Sequence, residues 1–342
     1  MTDGVDTARV KRGPAVLRAW PRWLRAAEAG PLAGLLLLVV FFSLTAPNFA
    51  SETNFFNVLL ETAVIGILSV GQTFVILAAG IDLADGSALA LSATVMGFLA
   101  VNGVNPFVAI AVGLLVGALI GFVHGWVAWR FAVPPLIVTL GGLSLWEGVA
   151  LQLTNGQNLI LYGSSPVLTW LGSAYVGPIP VAVLLMLTLY ALADQIVRKH
   201  RVGIYTRAIG ADLATARRFL PHLDAYVIAP YVLSGLSAAI AGLVLIGRLG
   251  STEGNMGSGM ELNAIVAVVL GGTSLFGGRG GMWQTLLGAI VIAVIDNGLV
   301  LIGVSPFVQE AIVGLLIVIV VAADALRRGL VTLPRIRLGR ST

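Results

Sequence analysis

The chain has 342 residues, 58% of them hydrophobic and only 11% charged, with twenty Lys and Arg against sixteen Asp and Glu. Ordinary soluble domains carry roughly a quarter charged residues, so this composition, at mean hydropathy +0.97, excludes a soluble globular protein and points to an all-α polytopic membrane protein. The absence of cysteine excludes disulfides, thiolate metal sites and cysteine nucleophiles, and His124, His200 and His222 are too far apart to suggest a metal cluster.

Taken in order, the first 29 residues carry Arg9, Lys11, Arg12, Arg18, Arg22 and Arg25 with no cleavage pattern before a short apolar core. They read as a cytoplasmic tail, with Trp20 and Trp23 at the membrane interface. A run of about 20 apolar residues crosses a bilayer core. Hydropathy and the punctuation by Gly, Pro and charge predict about ten spans: 30–46, 57–79, 81–101, 106–129, 136–154, 176–197, 226–247, 261–276, 282–303 and 306–325. The third and eighth are expected to be broken or partly re-entrant. Residues 30–325 thus form one transmembrane domain, and 326–342 a second cytoplasmic tail. With both termini cytoplasmic, nineteen of the twenty basic residues fall inside and only Arg248 outside, as the positive-inside rule requires. The basic surplus therefore has a topological cause, and nucleic acid is not an expected partner.

A weak internal repeat accompanies this plan. Gly80-Ile81-Asp82-Leu83 echoes Gly259-Met260-Glu261-Leu262, and Gly117-Ala118-Leu119 with Val133-Pro134-Pro135 echoes Gly288-Ala289-Ile290 with Val304-Ser305-Pro306. An offset of five spans is odd, which predicts two five-helix halves of inverted topology; chance similarity between Gly-rich apolar segments is the alternative.

Polar residues inside the spans are the candidate path. Asp82 and Asp85 interrupt two apolar runs beside Gly80 and Gly86, which fits a broken helix bordering a solute path; the favoured reading is that Asp82 caps the third helix at the cytoplasmic interface, since caps are the commoner role. Gln72, Asn263 and Asn297 are neutral donors and acceptors suited to a hydroxyl-rich solute. Like Glu61, Glu147, Asp296, Gln309 and Glu310, they would also serve as interhelical glue. No acidic series is spaced for a proton relay. The stretch Gly271–Gly281 is glycine-rich, but a phosphate-binding P-loop needs a Lys before Ser or Thr, and the only lysines are Lys11 and Lys199. Those glycines instead predict close packing and a turn.

Between the sixth and seventh spans lies the one sizeable polar island, Arg198–Asp224, with six of the twenty basic residues. Asp212 is placed to cap a short helix through Leu213, Ala216 and Leu220, with Pro221 near its end. Such an amphipathic helix suits a groove on a soluble partner, or a position at the lipid headgroups.

The order and spacing of several motifs resemble the permease subunits of bacterial ABC importers of the ribose, xylose and galactose type. These are Pro47-Asn48-Phe49, Gly80-Ile81-Asp82-Leu83 followed by Gly86-Ser87, Ala208-Ile209-Gly210, and Glu261-Leu262 leading through Ala264-Ile265 to Val269–Ser274 and Gly277-Gly278. The resemblance runs from about Pro47 to Leu326. It implies a non-enzymatic translocation path for a monosaccharide, working by alternating access in the bacterial inner membrane. The implied partners are two ATPase subunits or one fused tandem ATPase, which hold the ATP and Mg, a periplasmic or lipid-anchored sugar-binding protein, and a second permease copy or paralogue. This chain would carry no cofactor. Gly203, Ala208, Ile209 and Gly210 match the family's coupling segment, which makes them, with Asp212, Ala216, Arg217 and Arg218, the expected ATPase-coupling residues; Gln72, Asp82, Asn263 and Asn297 are the expected path residues. The chain departs from the family at Ala211-Asp212, Leu220-Pro221 and Ala84-Asp85. Import of a sugar alcohol, nucleoside or autoinducer is an alternative on the same fold, and an ion-coupled carrier a more distant one. A membrane enzyme lacks a catalytic constellation.

Overall fold

The computed structural model describes residues 29–161 and 165–327. The expected tails, 1–29 and 326–342, with Trp20 and Trp23, lie outside the described residues except for Ala29, Leu326 and Arg327. The described chain is almost entirely helical: α1 (Ala29–Thr45), α2 (Glu52–Leu77), α3 (Asp85–Val101), α4 (Pro106–Arg130), α5 (Pro135–Thr154), α6 (Pro166–Ser173), α7 (Val181–Lys199), α8 (Arg201–Ala211), α9 (Leu213–Phe219), α10 (Leu223–Leu249), α11 (Met260–Leu270), α12 (Met282–Leu301) and α13 (Pro306–Arg327). Four two-residue strands make two antiparallel pairings, β1 (Leu159–Ile160) with β4 (Ser251–Thr252) and β2 (Tyr175–Val176) with β3 (Ile179–Pro180).

Local chemistry sets many of the helix ends. The Ser51 hydroxyl accepts from the Asn54 amide at 3.2 Å and starts α2; Asn105 accepts from the Phe107 amide at 2.9 Å, with Pro106 as the first residue of α4. Helix α2 stops in a Schellman motif: Gly80 donates to the Val75 carbonyl at 3.0 Å, Ala79 to Ile76 at 2.9 Å, and Ala79 takes φ +60°.

Seven helices (α2, α4, α5, α7, α10, α12 and α13) are long and apolar enough to cross a membrane, which makes the chain an all-α, multi-pass membrane protein. The expected count of ten is not reached on length. Helix α1 and helix α3 have 17 residues each and α11 has 11; at about 1.5 Å per residue α11 reaches roughly 16 Å, half of a bilayer core. The third span begins at Asp85 and not at 81, because Ala78–Ala84 leaves the helix. The eighth ends at Leu270 and not at 276, because the glycine-rich loop turns there, with Gly272, Gly277, Gly278 and Gly280 at positive φ. Helix α6 and the small strand pairings were not expected from hydropathy.

Without a hydrophobic driving force between helices in lipid, close backbone packing has to hold them. On α4, Gly113, Gly117, Gly121 and Gly125 recur every four residues and so share one face. A Cβ on Gly117 would run into the Gly235 carbonyl, and one on Gly121 into that of Tyr231, so α4 and α10 meet backbone to backbone. Helix α2 is enclosed from Thr62 to Leu77, packed by α10, α12, α11 and α7. By contrast α5 and α13 keep wide apolar faces exposed, including Ile137, Leu140, Leu145, Leu315, Val318 and Ile319.

Hydrogen bonds identify the two ends of the bundle. At one end, Gly278 donates to the Leu77 carbonyl at 3.0 Å, the Ser274 hydroxyl to Asp324 at 2.7 Å, and the Trp129 indole to Asp224 at 2.6 Å. This end carries the segment Arg198–Asp224. At the other end, Asn54 and Asn297 exchange two amide bonds of 2.9 Å, and Leu161 donates to Gly250 at 2.8 Å.

Candidate functional site

Helices α3 and α11 start inside the bundle instead of at its ends. Asp85, the first residue of α3, accepts from the Ser234 hydroxyl at 2.7 Å, and Ser234 lies near the middle of the 27-residue α10. From there α3 runs toward the Asn54–Asn297 end. Helix α11 runs the opposite way, into the glycine loop whose Gly278 bonds Leu77. Their N-termini abut: a Cβ on Gly86 would overlap the Glu261 carboxylate and the Gly257 carbonyl, and one on Gly257 the Gly86 carbonyl. The start of α3 therefore meets the loop that leads into α11 backbone to backbone, and the two helices run in opposite directions. Asp85 and Glu261, both in first turns, oppose the positive ends of the two helix dipoles, which favours carboxylates there.

Beside this junction lies a cleft lined by Gly86, Ser87, Leu143, Glu147, Asn255, Ser258 and Glu261, with room for about one water. Glu147 comes from α5, and Glu310 of α13 is a second charged neighbour of Glu261. The cleft thus sits beside the two first turns and against α5, which supplies Leu143 and Glu147. It offers hydroxyl, amide and carboxylate groups, and no cationic side chain lines it.

On the island side of the cleft, the Trp146 indole donates to Nε2 of His124 at 2.9 Å. That leaves Nδ1 as the N–H of a neutral ring, and Nδ1 lies 3.6 Å from Asp82. Asp82 also accepts from the Ala84 amide at 3.0 Å. Asp82 is 1% exposed and His124 2%, so Asp82 sits in a buried network, not at an interface, and no side chain caps α3.

The polar island folds into α8 and α9. Asp212 caps α9 as the sequence predicts, accepting from the Ala214 and Thr215 amides at 2.9 and 3.1 Å and from the Thr215 hydroxyl. The Thr215 hydroxyl above all, and then its amide, hold the Asp212 carboxyl below the ordinary aspartate range. The helix ends at Phe219, just before Leu220-Pro221. Ala216 faces inward, while Arg218 and Phe219 are exposed. Arg217 stacks on Trp129 of α4, 5.0 Å from the ring centroid. In α8, Gly203 lets the chain fold against Ile196 and Val197, and Gly210 lies flush on the Leu77 carbonyl and the Gly278 amide. Arg207 donates to the Gly280 carbonyl at 2.9 Å; burial, and then the neighbouring Arg198, lower its pKa.

With this geometry in view, comparison with known proteins decides the family. Residues 54–321 match the model of the branched-chain amino acid transport system permease component family. The chain belongs to this permease family. It is 38% identical over 304 residues to the ribose import permease protein of Escherichia coli K12, covering 88% of this chain and 94% of that one. It is 37% identical over 297 residues to the ribose import permease protein of Bacillus subtilis strain 168, covering 87% and 92%. With the fructose import permease protein of Rhizobium meliloti the identity is 36% over 307 residues, covering 86% and 84%. No solved structure matches. The family and these relatives are transport permeases, not enzymes.

For a permease, the polar groups inside the bundle are candidates for a path. The four expected path residues each have their own surroundings. Gln72 is fully buried in α2 and neither amide atom has a hydrogen-bond partner among the described residues. Asp82 belongs to the histidine network. Asn263 donates to Asp296 at 3.2 Å, and Asp296 feels the charge of Glu61. Asn297 pairs with Asn54, which also donates to the Phe49 carbonyl at 2.9 Å, and so ties α12 to α2 at the end where Pro47-Asn48-Phe49 lies. What the structure does assemble is the cleft of Ser87, Glu147, Asn255, Ser258 and Glu261, of which Ser87 and Glu261 were legible as motif residues.

Proposed function

We propose that this permease is the membrane subunit of an ATP-driven importer of neutral monosaccharides, and that the junction of α3 and α11 is its central gate. Two observations together carry the reading: half-helices of opposite direction meet in a polar cleft, and the chain aligns with ribose import permeases along 88% of its length. The cleft's chemistry favours sugars over the amino acids in the family's description. Hydroxyl-rich solutes exchange hydrogen bonds with Ser, Asn and Glu side chains, whereas Glu147 and Glu261 oppose a solute carboxylate and no lining cation offsets them.

In this reading α3 and α11 are corresponding elements of two inverted five-helix halves, and ten segments in all enter the membrane. The protein sits in the bacterial inner membrane with both termini in the cytoplasm. A second copy or a paralogue covers the exposed faces of α5 and α13, and lipid covers the remainder. Two ATPase subunits, or one fused tandem ATPase, dock on α8 and α9 and hold the ATP and Mg; a periplasmic or lipid-anchored sugar-binding protein delivers the solute at the opposite end. ATP binding favours one orientation of the pair by differential affinity for the two states. Glu147, Glu261, Ser87, Asn255 and Ser258 take over from Gln72, Asp82, Asn263 and Asn297 as the proposed solute contacts. Gly203, Ala208, Ile209, Gly210, Asp212, Ala216, Arg217 and Arg218 remain the proposed coupling residues.

Vesicles containing the permease should take up labelled ribose or a related monosaccharide only when ATPase, ATP and binding protein are all supplied. Uptake by the isolated chain on an ion gradient would overturn the proposal. Arg217→Glu with Arg218→Glu should abolish most ATPase co-purification while membrane insertion is unchanged; undiminished co-purification would remove α9 from the docking surface.

A further inference from the structure

Two routes lead from the polar island to the gate, and both end at one residue. The first is α10, which begins at Leu223 within the last residues of the island and bears Ser234. The second is the non-helical strap Ala78–Ala84. At its start, Gly210 of α8 lies flush on the Leu77 carbonyl, which also accepts from Gly278, and Gly277 packs on Ala79. Along its length, Gly80 lies under the Tyr231 hydroxyl, Ile81 accepts from Thr139 at 3.3 Å, and Asp82 faces His124. At its end, Asp85 accepts from Ser234 at 2.7 Å and its carboxyl adjoins that of Asp82. The next residue, Gly86, is in contact with Gly257 and Glu261.

We infer that Asp85 is a positioning residue for transport, joining α10 and the strap Ala78–Ala84 to the first turn of α3 so that displacement of α8 and α9 reaches the α3–α11 junction. The inference rests on the permease reading. A rigid helix and a strap that move together transmit a displacement; with the Asp85–Ser234 bond removed, α10 slides past α3 and the movement is lost in the strap. The role needs an acceptor for Ser234 and does not need a charge. An asparagine keeps the acceptor Oδ1, and its N–H is able to donate to Asp82, which an ionised Asp85 cannot do.

The chain has no cysteine, so Ser258→Cys supplies a single thiol on the cleft wall. In the permease assembled with its ATPase, the rate of labelling by a polar maleimide should change by about tenfold on adding MgATP, the scale of one buried hydrogen bond. Asp85→Ala should abolish that change while the ATPase still co-purifies, and Asp85→Asn should retain it. Ser234→Ala removes only the donor and should reproduce Asp85→Ala if the latter fails to fold. An undiminished ATP response in Asp85→Ala or Ser234→Ala would overturn the inference, as would an Asp85→Asn that behaves like Asp85→Ala. Absence of any ATP response in the parent Ser258→Cys protein, with no sugar uptake by the wild type, would instead overturn the permease reading.

Discussion

The segment Arg198–Asp224 and the α3–α11 junction are both polar regions in an apolar chain, yet opposite physics holds each of them. The α9 part of the segment is largely exposed, and short-range chemistry organises it: an Asp cap, a Thr hydroxyl three residues later and a proline just past the helix end. The junction is buried and held by contacts between residues far apart in sequence, Gly86 against Gly257 and Asp85 against Ser234. An exposed polar element tolerates many surroundings because water satisfies whatever the protein does not. A buried one requires every neighbour to be in place.

The comparison predicts that one added methyl or isopropyl group matters far more at the junction than on the segment. Gly86→Val would force the two first turns apart and should cost about 3 kcal/mol, read as a large drop in thermal stability in detergent together with loss of sugar uptake. A variant as stable as the wild type would mean that the half-helices do not touch. On the segment, Asp212→Ala should leave global stability unchanged and loosen only α9, seen as faster hydrogen exchange at Ala214 and Thr215 and weaker ATPase association. The Asp212 carboxyl is held below its ordinary range, so its contribution is present above that range and is lost as pH falls through the lowered value; the α9 protection factors, corrected for the intrinsic pH dependence of amide exchange, should therefore fall in acid in the wild type and be insensitive to pH in Asp212→Ala. An effect of opposite sign is expected where the two regions meet. Ala79 occupies the left-handed position that ends α2, at φ +60°, where an alanine is strained relative to glycine, so Ala79→Gly should stabilise the protein by about 1 kcal/mol, read as a higher thermal midpoint in detergent.

Much of the fold was legible in the sequence, because apolar runs of bilayer length leave little freedom. The polar segment and its Asp212 cap were read from charge and spacing alone. The junction was legible only in outline. The echo between Gly80–Leu83 and Gly259–Leu262 singled out the right two spans, but it aligned Asp82 with Glu261, whereas Asp85 and Gly86 are what adjoin Glu261. Asn255 and Ser258 gave no signal, since they lie in a loop between predicted spans, and Glu147 was visible as a polar residue in a span but read as glue. Gln72, Asn263 and Asn297 read the same way, and nothing local distinguishes the Asn297 amide, which pairs with Asn54, from one that would face a solute. The close meeting of the α4 glycines with α10 was not read from the sequence at all.

By itself the sequence determined the class of the protein, the placement of nearly all its long helices and the chemistry of its exposed segment, because hydropathy, helix caps and charge act within a few residues. Only the tertiary structure decided that α3 and α11 are half-helices that meet, and which carboxylates and hydroxyls share a cleft. Those facts depend on backbones separated by more than 150 residues in sequence coming into van der Waals contact, as Gly86 and Gly257 do, and no local pattern encodes which glycine finds which.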